Sequence, residues 1–306
     1  SVTGVQTCAL PISVPQIGGG GSVGVTGNVD LGNTGSGDIT FSGTTANAFD
    51  IGGVLTVTSN GGADAFQFTG TDVEIRADGG IAFVAGSGTD DGIRIADDKD
   101  LTLRTVNSDV TVTSVTSVAG DDASDFTIVA GTGTATVGAI GTDINDVVIT
   151  APTIKLGGDI TTALDPHTGA GTTDDDAASI DLNGDVVVDA DITLTTGNGT
   201  IDFSGAVDSV ADGAKDLTIV SGSGTATFNG AIGTGSNGAL GTLTVNSAGS
   251  GNITFNSNAN IGTASAAGAA VFDAGNTNTG TLTIGGSVYN TTGAQTYTAT
   301  TGGNNI

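Results

Sequence analysis

Hydrolysis through a catalytic triad needs a nucleophile, a base and an acid that orients the base. The chain has one histidine, His167, within Asp165-Pro166-His167-Thr168-Gly169. A nucleophile pattern, G-x-S-x-G, occurs once as GGSVG at 20–24, around Ser22. That pattern is reactive when a strand turns sharply into a helix. Here it lies in a glycine run with no helical period behind it, and His167 reads as a solvated turn residue. GSGTDDG at 86–92 and GNGTIDFSG at 197–205 resemble phosphate-binding loops in spacing. Neither is followed by Gly-Lys-Ser/Thr or by a helix N-terminus, which supply the phosphate contacts, so both read as turns.

Calcium has the strongest physical case among cofactors, because it takes hard oxygen ligands. Asp90/Asp91, Asp97/Asp98/Asp100, Asp121/Asp122 and Asp174/Asp175/Asp176 are local carboxylate groups. Asp181, Asn183, Asp185 and Asp189 occupy positions one, three, five and nine of a calcium-loop spacing. Val186 stands where that loop requires glycine, and Ile192 where it requires a bidentate acid. The weak metal candidates are therefore Asp174, Asp175, Asp176, Asp181 and Asp185, and the expectation is no cofactor, with Asp marking solvated turns. Two carboxylates also serve glycoside hydrolysis. Carbohydrate grooves add aromatic platforms and basic residues, however, and this chain has no Trp, only Tyr289 and Tyr297, and three Arg (Arg76, Arg94, Arg104). Thr-x-Thr pairs such as Thr56/Thr58, Thr193/Thr195 and Thr281/Thr283 would suit an ice-binding face if coils were of constant length. The β-propensity of Thr explains them without that role.

The elements that must carry these residues are set by composition. Among 306 residues are 53 Gly and 4 Pro, with 37% hydrophobic residues, and 32 acidic against 6 basic side chains give a net charge of -26. Only Glu74 is Glu; every other acid is Asp. Mean hydropathy is +0.19, too apolar for a disordered acidic chain. The acidic balance excludes phosphate-backbone binding and disfavours anionic membrane surfaces. No apolar run approaches the roughly 18–20 residues of a spanning helix. The lone cysteine, Cys8, removes disulfides and Cys-based metal sites from consideration.

The chain repeats itself. DFTIVAGTGTATV at 125–137 and DLTIVSGSGTATF at 216–228 share 9 of 13 letters, and GAIGT follows each. Upstream, DLTLRTVNSDVTV at 100–112 aligns with DITLTTGNGTIDF at 191–203, giving a repeat of about 91 residues over 98–142 and 189–234. Apolar–polar–apolar triplets such as Ile39/Phe41, Leu101/Leu103 and Ile253/Phe255 signal half-buried strands, and Gly, Asn, Asp and Ser close the turns between them. No sustained helical period appears; Ala-rich 264–270 is the nearest. Strands this short suit a coil in which each pairs in parallel with the one below. The expected fold is all-β, a parallel β-solenoid with two or three strands per coil, ~20–30 residues per coil and about 10–14 coils.

Two resemblances add to this. SVTGVQTCALPI at 1–12 resembles the translation of a short-read sequencing adapter, so residues 1–12 are expected to be non-native, with a Gly-rich lead-in at 13–27 and a continuous repeat region over 28–306. DLTIVSGSGTATFNGAIGT, GTLTVNSAGSGNITF and TLTIGGSVYNTTGAQTYTA resemble the repeat regions of filamentous-haemagglutinin-like and autotransporter-like bacterial adhesins. The resemblance implies a right-handed β-helix, export to the cell surface or medium, and an adhesive or stalk role without catalysis. It implies glycans or proteins of host or neighbouring cells as partners, no nucleic acid, and no transmembrane segment in this stretch. The chain is expected to be an internal piece of a longer protein. A carbohydrate-active β-helix enzyme, or a calcium- or ice-binding solenoid, is the alternative.

Overall fold

The computed structural model describes residues 2–6, 12–14, 25–33, 38–42, 49–59, 65–69, 72–86, 92–118, 124–141, 143–162, 178–233, 238–247, 251–262, 267–274 and 280–298. Among them every regular element is a strand, and every strand pair with a printed register is parallel. The fold is a parallel β-solenoid. Contacts divide it into two units, residues 1–144 with 150–152, and residues 145–149 with 153–306.

Unit 1 has three faces. The first stacks Val2–Gln6, Val29–Asn33, Val54–Ser59, Gly80–Val84, Val110–Ser117 and Thr134–Ile140. Val29 opposes Leu55, Leu55 opposes Ile81, Ile81 opposes Val110 and Val110 opposes Ala135, so each winding takes 25–29 residues. The second face stacks Ile12–Val14, Ile39–Phe41, Ala65–Phe68, Gly92–Ile95 and the latter half of Val110–Ser117. The third stacks Phe49–Ile51, Val73–Ala77, Leu101–Arg104 and Ser124–Val129. Pairing thus reaches into the adapter-like stretch, where Val2–Gln6 lies opposite Val29–Asn33.

Unit 2 repeats the plan. Ile160–Thr161, Ile192–Thr195, Leu217–Val220, Thr242–Ser247, Ala269–Ala274 and Gln295–Thr298 form one face. Ile180–Val188, Ile201–Phe203, Ala226–Phe228, Ile253–Phe255 and Leu282–Ile284 form another. The third begins where Val186 opposes Val207 and continues through single bridges at Ile232, Ile261 and Tyr289. The coil between Ile160 and its partner Leu194 is the long one, and residues 163–177 inside it lie outside the described residues.

Period-two alternation sends one side of each strand inward. Because register is kept from coil to coil, inward residues pile into columns of like residues, as in Phe49, Ile75, Leu103 and Ile128, all fully buried. Phe203, Phe228 and Phe255 stack face to face with ring centroids 4.8 and 4.9 Å apart, the spacing of hydrogen-bonded strands. Phe41 and Phe68 do the same at 4.7 Å. The parallel ladder sets that distance, and flat rings fill it without voids.

Candidate functional site on the outward faces

Outward positions carry Thr, Ser, Asn and Asp, and the aspartates do a definite job. Where a turn leads into a strand, an Asp or Asn precedes the first inward residue. Its Oδ1 accepts the backbone N–H of the residue at the same register one coil later. Asp72 accepts from Asp100 (3.3 Å), Asp100 from Asp125 (3.1 Å), Asp109 from Thr134 (2.7 Å), Asp159 from Thr193 (2.7 Å) and Asp191 from Asp216 (3.1 Å). Asn28 and Asn252 serve Val54 and Thr281 in the same way. At the corner the backbone has turned away from its ladder acceptor, and an unpaired N–H is costly. A short acid or amide reaches it as in an Asx turn. The accepting oxygen is Oδ1, on Cγ and two bonds from Cβ; Glu carries its oxygens one carbon farther out, so Asp and Asn fit this short reach.

Asp109 gives a direct test. Asp109→Ala leaves the Thr134 N–H without its acceptor and is expected to cost about 1 kcal/mol. Asp109→Asn keeps Oδ1 and is expected to be neutral or slightly stabilising, because it also removes one charge from an acidic chain. Urea denaturation of the two variants measures the difference; equal losses in both would rule out the acceptor role.

One outward column begins with two carboxylates and continues as Thr227, Thr254 and Thr283. Asp181 and Asp202 are register partners on adjacent strands. Asn229 Nδ2 donates to Asp202 Oδ1 at 2.7 Å, and Asn256 Nδ2 donates to Asn229 Oδ1. Asp146 accepts both the N–H and the hydroxyl of Ser179, each at 2.7 Å. Burial raises the Asp181 carboxyl above its ordinary value, and the charges of Asp202 and Asp146 raise it further. Burial also raises Asp202, against a lowering hydrogen bond from Asn229.

An acid whose folded pKa is raised binds its proton more tightly folded than unfolded. Unfolding free energy therefore falls as pH climbs from the ordinary 3.8 through the raised value, and the ionised pair is a destabilising feature at neutral pH. Asp181→Asn is expected to raise the melting temperature at pH 7, the gain vanishing once the pH drops below 3.8. Thermal melts across that range check this, and a gain that persists in strong acid would contradict it.

Only two of the expected calcium ligands, Asp181 and Asp185, fall among the described residues. Asp174, Asp175 and Asp176, like His167, Ser22 and Cys8, lie outside the described residues. Asp181, Asn183 and Asp185 fall on the strand Ile180–Val188, with Asp181 and Asp185 on either side of the corner at Gly184 and on halves that pair with different strands. Asp185 Oδ1 accepts the Ala206 N–H at 2.9 Å. Asp98 sits in a left-handed turn with φ 55, and neighbouring Asp100 is one of the corner acceptors. Among the described residues no three His, Cys, Asp or Glu side chains are grouped to hold a metal.

Other outward features are shallow. Thr227, Thr254 and Thr283 form a column, but the neighbouring position runs Thr225, Asn252, Thr281. In unit 1, Thr56 and Thr111 flank Ala82. Arg76 lies between Asp50 and Arg104 in register, and Arg104 Nε donates to Glu74 Oε1 at 2.7 Å. A cavity of about 180 Å³ opens between Gln67, Phe68, Thr69, Arg94, Ala96 and Val118, below the ~300 Å³ of ordinary ligand pockets. A more open one of about 420 Å³ lies over Gly79, Gly80, Ser108 and Asp109.

Sequence reasoning singled out Asp181 but not Asp202, its partner, because the pair is visible only once the winding is known. It also missed the corner acceptors, whose signal is an Asx before each apolar–polar–apolar triplet. No protein-family model matches this chain, and no curated protein or solved structure matches it either. No helix among the described residues is long and apolar enough to cross a membrane.

Proposed function

We propose that this chain is a structural and adhesive repeat segment of a large bacterial cell-surface or secreted exoprotein, acting as a stiff spacer and contact surface without catalysis. The observation that carries the reading is repetition on the outward faces. Hydroxyl, amide and carboxylate side chains face outward winding after winding, as in the column of Thr227, Thr254 and Thr283. Such a surface offers many equivalent weak contacts, and avidity grows with their number. Glycans or proteins of host or neighbouring cells are the partners that suit hydroxyl- and amide-rich faces, in an extracellular setting where a chain with one cysteine needs no disulfides. The test is adhesion of beads coated with the chain to cells and to arrayed glycans. Binding that climbs steeply with coating density is expected, and no adhesion at any density would defeat the proposal.

A second reading rests on Asp181 and Asp202. Register partners on adjacent strands stand ~4.8 Å apart at the backbone, near the carboxyl separation of retaining glycosidases, and both carboxyls are raised. On that reading Asp181 is the acid and Asp202 the nucleophile. Release of reducing ends from polysaccharides by the intact chain, lost in both Asp181→Asn and Asp202→Asn, would establish it and displace the non-catalytic reading.

A further inference from the structure

The corner between the third and first faces of unit 1 changes length from coil to coil. Gly52-Gly53 and Asp78-Gly79 make it in two residues, between Ile51 and Val54 and between Ala77 and Gly80. The next coil spends five, 105–109, between Arg104 and Val110. This longer corner projects beyond the two below it, with Val106, Asn107 and Asp109 exposed. Under it opens the groove of about 420 Å³, within the ~300–1,000 Å³ of ligand sites. The corners of all these coils lie within described stretches, 49–59, 72–86, 92–118 and 124–141. The overhang is fixed from both sides. Thr105 Oγ1 donates to the Ser108 carbonyl oxygen, Ser108 Oγ donates to the Asp78 carbonyl oxygen at 2.9 Å, and the Ile81 N–H donates to the Asp109 carbonyl oxygen at 3.0 Å. From the coil above, Thr132 Oγ1 donates to Asn107 Oδ1 at 3.2 Å and the Thr134 N–H donates to Asp109 Oδ1 at 2.7 Å. These bonds leave Asn107 Nδ2, Asp109 Oδ2 and the Thr111 hydroxyl with no partner among the described residues. The floor is apolar: Val54, the backbone of Gly79 and Gly80, and Ala82, which stands where the coils on either side carry Thr56 and Thr111.

We propose that this groove is a binding subsite for one neutral hexopyranose unit of a glycan. The ligand chemistry follows from the lining. No Lys, Arg or His lines the groove, so nothing there neutralises a phosphate, sulfate or uronate, and the Asp109 carboxylate repels one. A wholly apolar ligand would dry the carboxylate and the amide without pairing them, which is costly. A peptide gains its hydrogen bonds from an open strand edge, and here Val54–Ser59, Gly80–Val84 and Val110–Ser117 are paired to one another across the groove. A neutral sugar ring matches both parts of the lining. Its C–H face lies on Ala82 and the glycine backbone, while adjacent hydroxyls donate to Asp109 Oδ2 and accept from Asn107 Nδ2, and the Thr111 hydroxyl serves in either sense. Because the overhang is already tied down, little ordering is lost when the sugar enters. The inference rests on the adhesive reading above and locates one of its contacts.

The test is titration of the isotope-labelled full chain with the methyl glycosides of glucose, galactose, mannose and N-acetylglucosamine, followed by amide NMR shifts. With at least one of them, shifts confined to 79–82 and 107–111 are expected, saturating with a Kd of about 1–10 mM, as suits a shallow site. Glucuronate is expected to leave these amides unmoved. Asp109→Asn keeps the Oδ1 bond to Thr134 but replaces Oδ2 by a donor, and Ala82→Thr fills the floor with the residue that the adjacent coils carry. Each is expected to weaken binding by about tenfold or more with the melting temperature retained, whereas Thr254→Ala, in unit 2, binds as the parent chain does. No shifts with any of these glycosides up to about 100 mM would overturn the proposal. So would shifts centred elsewhere, an equal response to glucuronate, or binding that survives both groove variants. The adhesive reading fails separately. Shifts confined to the groove, from a chain whose coated beads adhere to nothing, would uphold the site and defeat that reading; bead adhesion without such shifts would defeat the site alone.

Discussion

Phe228→Ala is expected to cost about 3–5 kcal/mol, the range for removing a large buried aromatic side chain. Phe228 is fully buried and stacked on both sides, by Phe203 at 4.8 Å and Phe255 at 4.9 Å. Truncation deletes two ring contacts at once and opens a void that strand spacing prevents the coils from closing. The ladders on all three faces would have to break for the neighbours to move in. Phe228→Leu fills most of the space but loses the stacking, so a loss of about 1–2 kcal/mol is expected. The midpoint of urea unfolding, followed by circular dichroism, measures both. A cost below 1 kcal/mol for the alanine would mean that the column is not close-packed.

The second large effect is at a glycine. Gly131 has φ +57, and a Cβ built there would lie 1.7 Å from the Val106 carbonyl oxygen of the coil below. Gly131→Ala therefore combines a left-handed backbone, worth roughly 1–2 kcal/mol for a side chain-bearing residue, with a clash against backbone, worth roughly 1–3 kcal/mol. Gly213 separates the two contributions. Its φ is +62, but an added Cβ meets nothing within 4 Å, so Gly213→Ala should show the backbone cost alone. Thermal and urea unfolding of the pair checks the contrast. If both alanines cost the same, the close approach of successive turns at Val106 contributes nothing.

Much of the fold was legible because two signals agreed. Triplets such as Ile39/Phe41 and Ile253/Phe255 became strands with buried–intermediate–buried patterns, and the turn residues between them are where the chain changes face. The winding of 25–29 residues on the first face of unit 1 falls within the expected 20–30, whereas in unit 2 it runs from 21, Ile180 to Ile201, to 34, Ile160 to Leu194, above that range. Its strongest sequence signal was masked by the longer repeat. Each of the matched segments 98–142 and 189–234, 91 residues apart, contains two stacked coils, with Leu101 opposite Phe126 in one and Ile192 opposite Leu217 in the other, 25 residues apart in both. Strands longer than the triplets are Ile144–Leu156, of 13 residues, and Val110–Ser117 and Ile180–Val188, of 8 and 9. Val110–Ser117 and Ile180–Val188 turn a corner without losing their ladder, and the slip in alternation at Thr113–Ser114 and around Gly184 marks the bend. Ala-rich 264–270, the nearest approach to a helix, contributes a bridge at Ala267 and the start of Ala269–Ala274; alanine fits a crowded inward position as well as a helix.

Of the candidate site, Asp181 was visible as one carboxylate in a spacing pattern. Asp202 was not, because nothing local distinguishes an Asp that flanks an apolar residue in a turn from one that faces another acid across a ladder. That distinction depends on register, and register follows from the number of residues in the intervening turn. A single inserted residue in that turn would pair Asp181 with Ile201 or Phe203 and abolish the column.

The coil-on-coil winding has a kinetic side. In each unit the partner of a strand lies one turn away along the chain, so the closure entropy of every new contact is about the same wherever it forms. Adding turns to a unit adds no more distant contact, and relative contact order falls as the chain grows. Ordering can then start at any well-packed pair of coils, such as Phe203 on Phe228, and advance turn by turn in both directions. A chain of this kind needs no complete sequence in hand before it begins to fold, because each newly available stretch finds its template in the one just laid down.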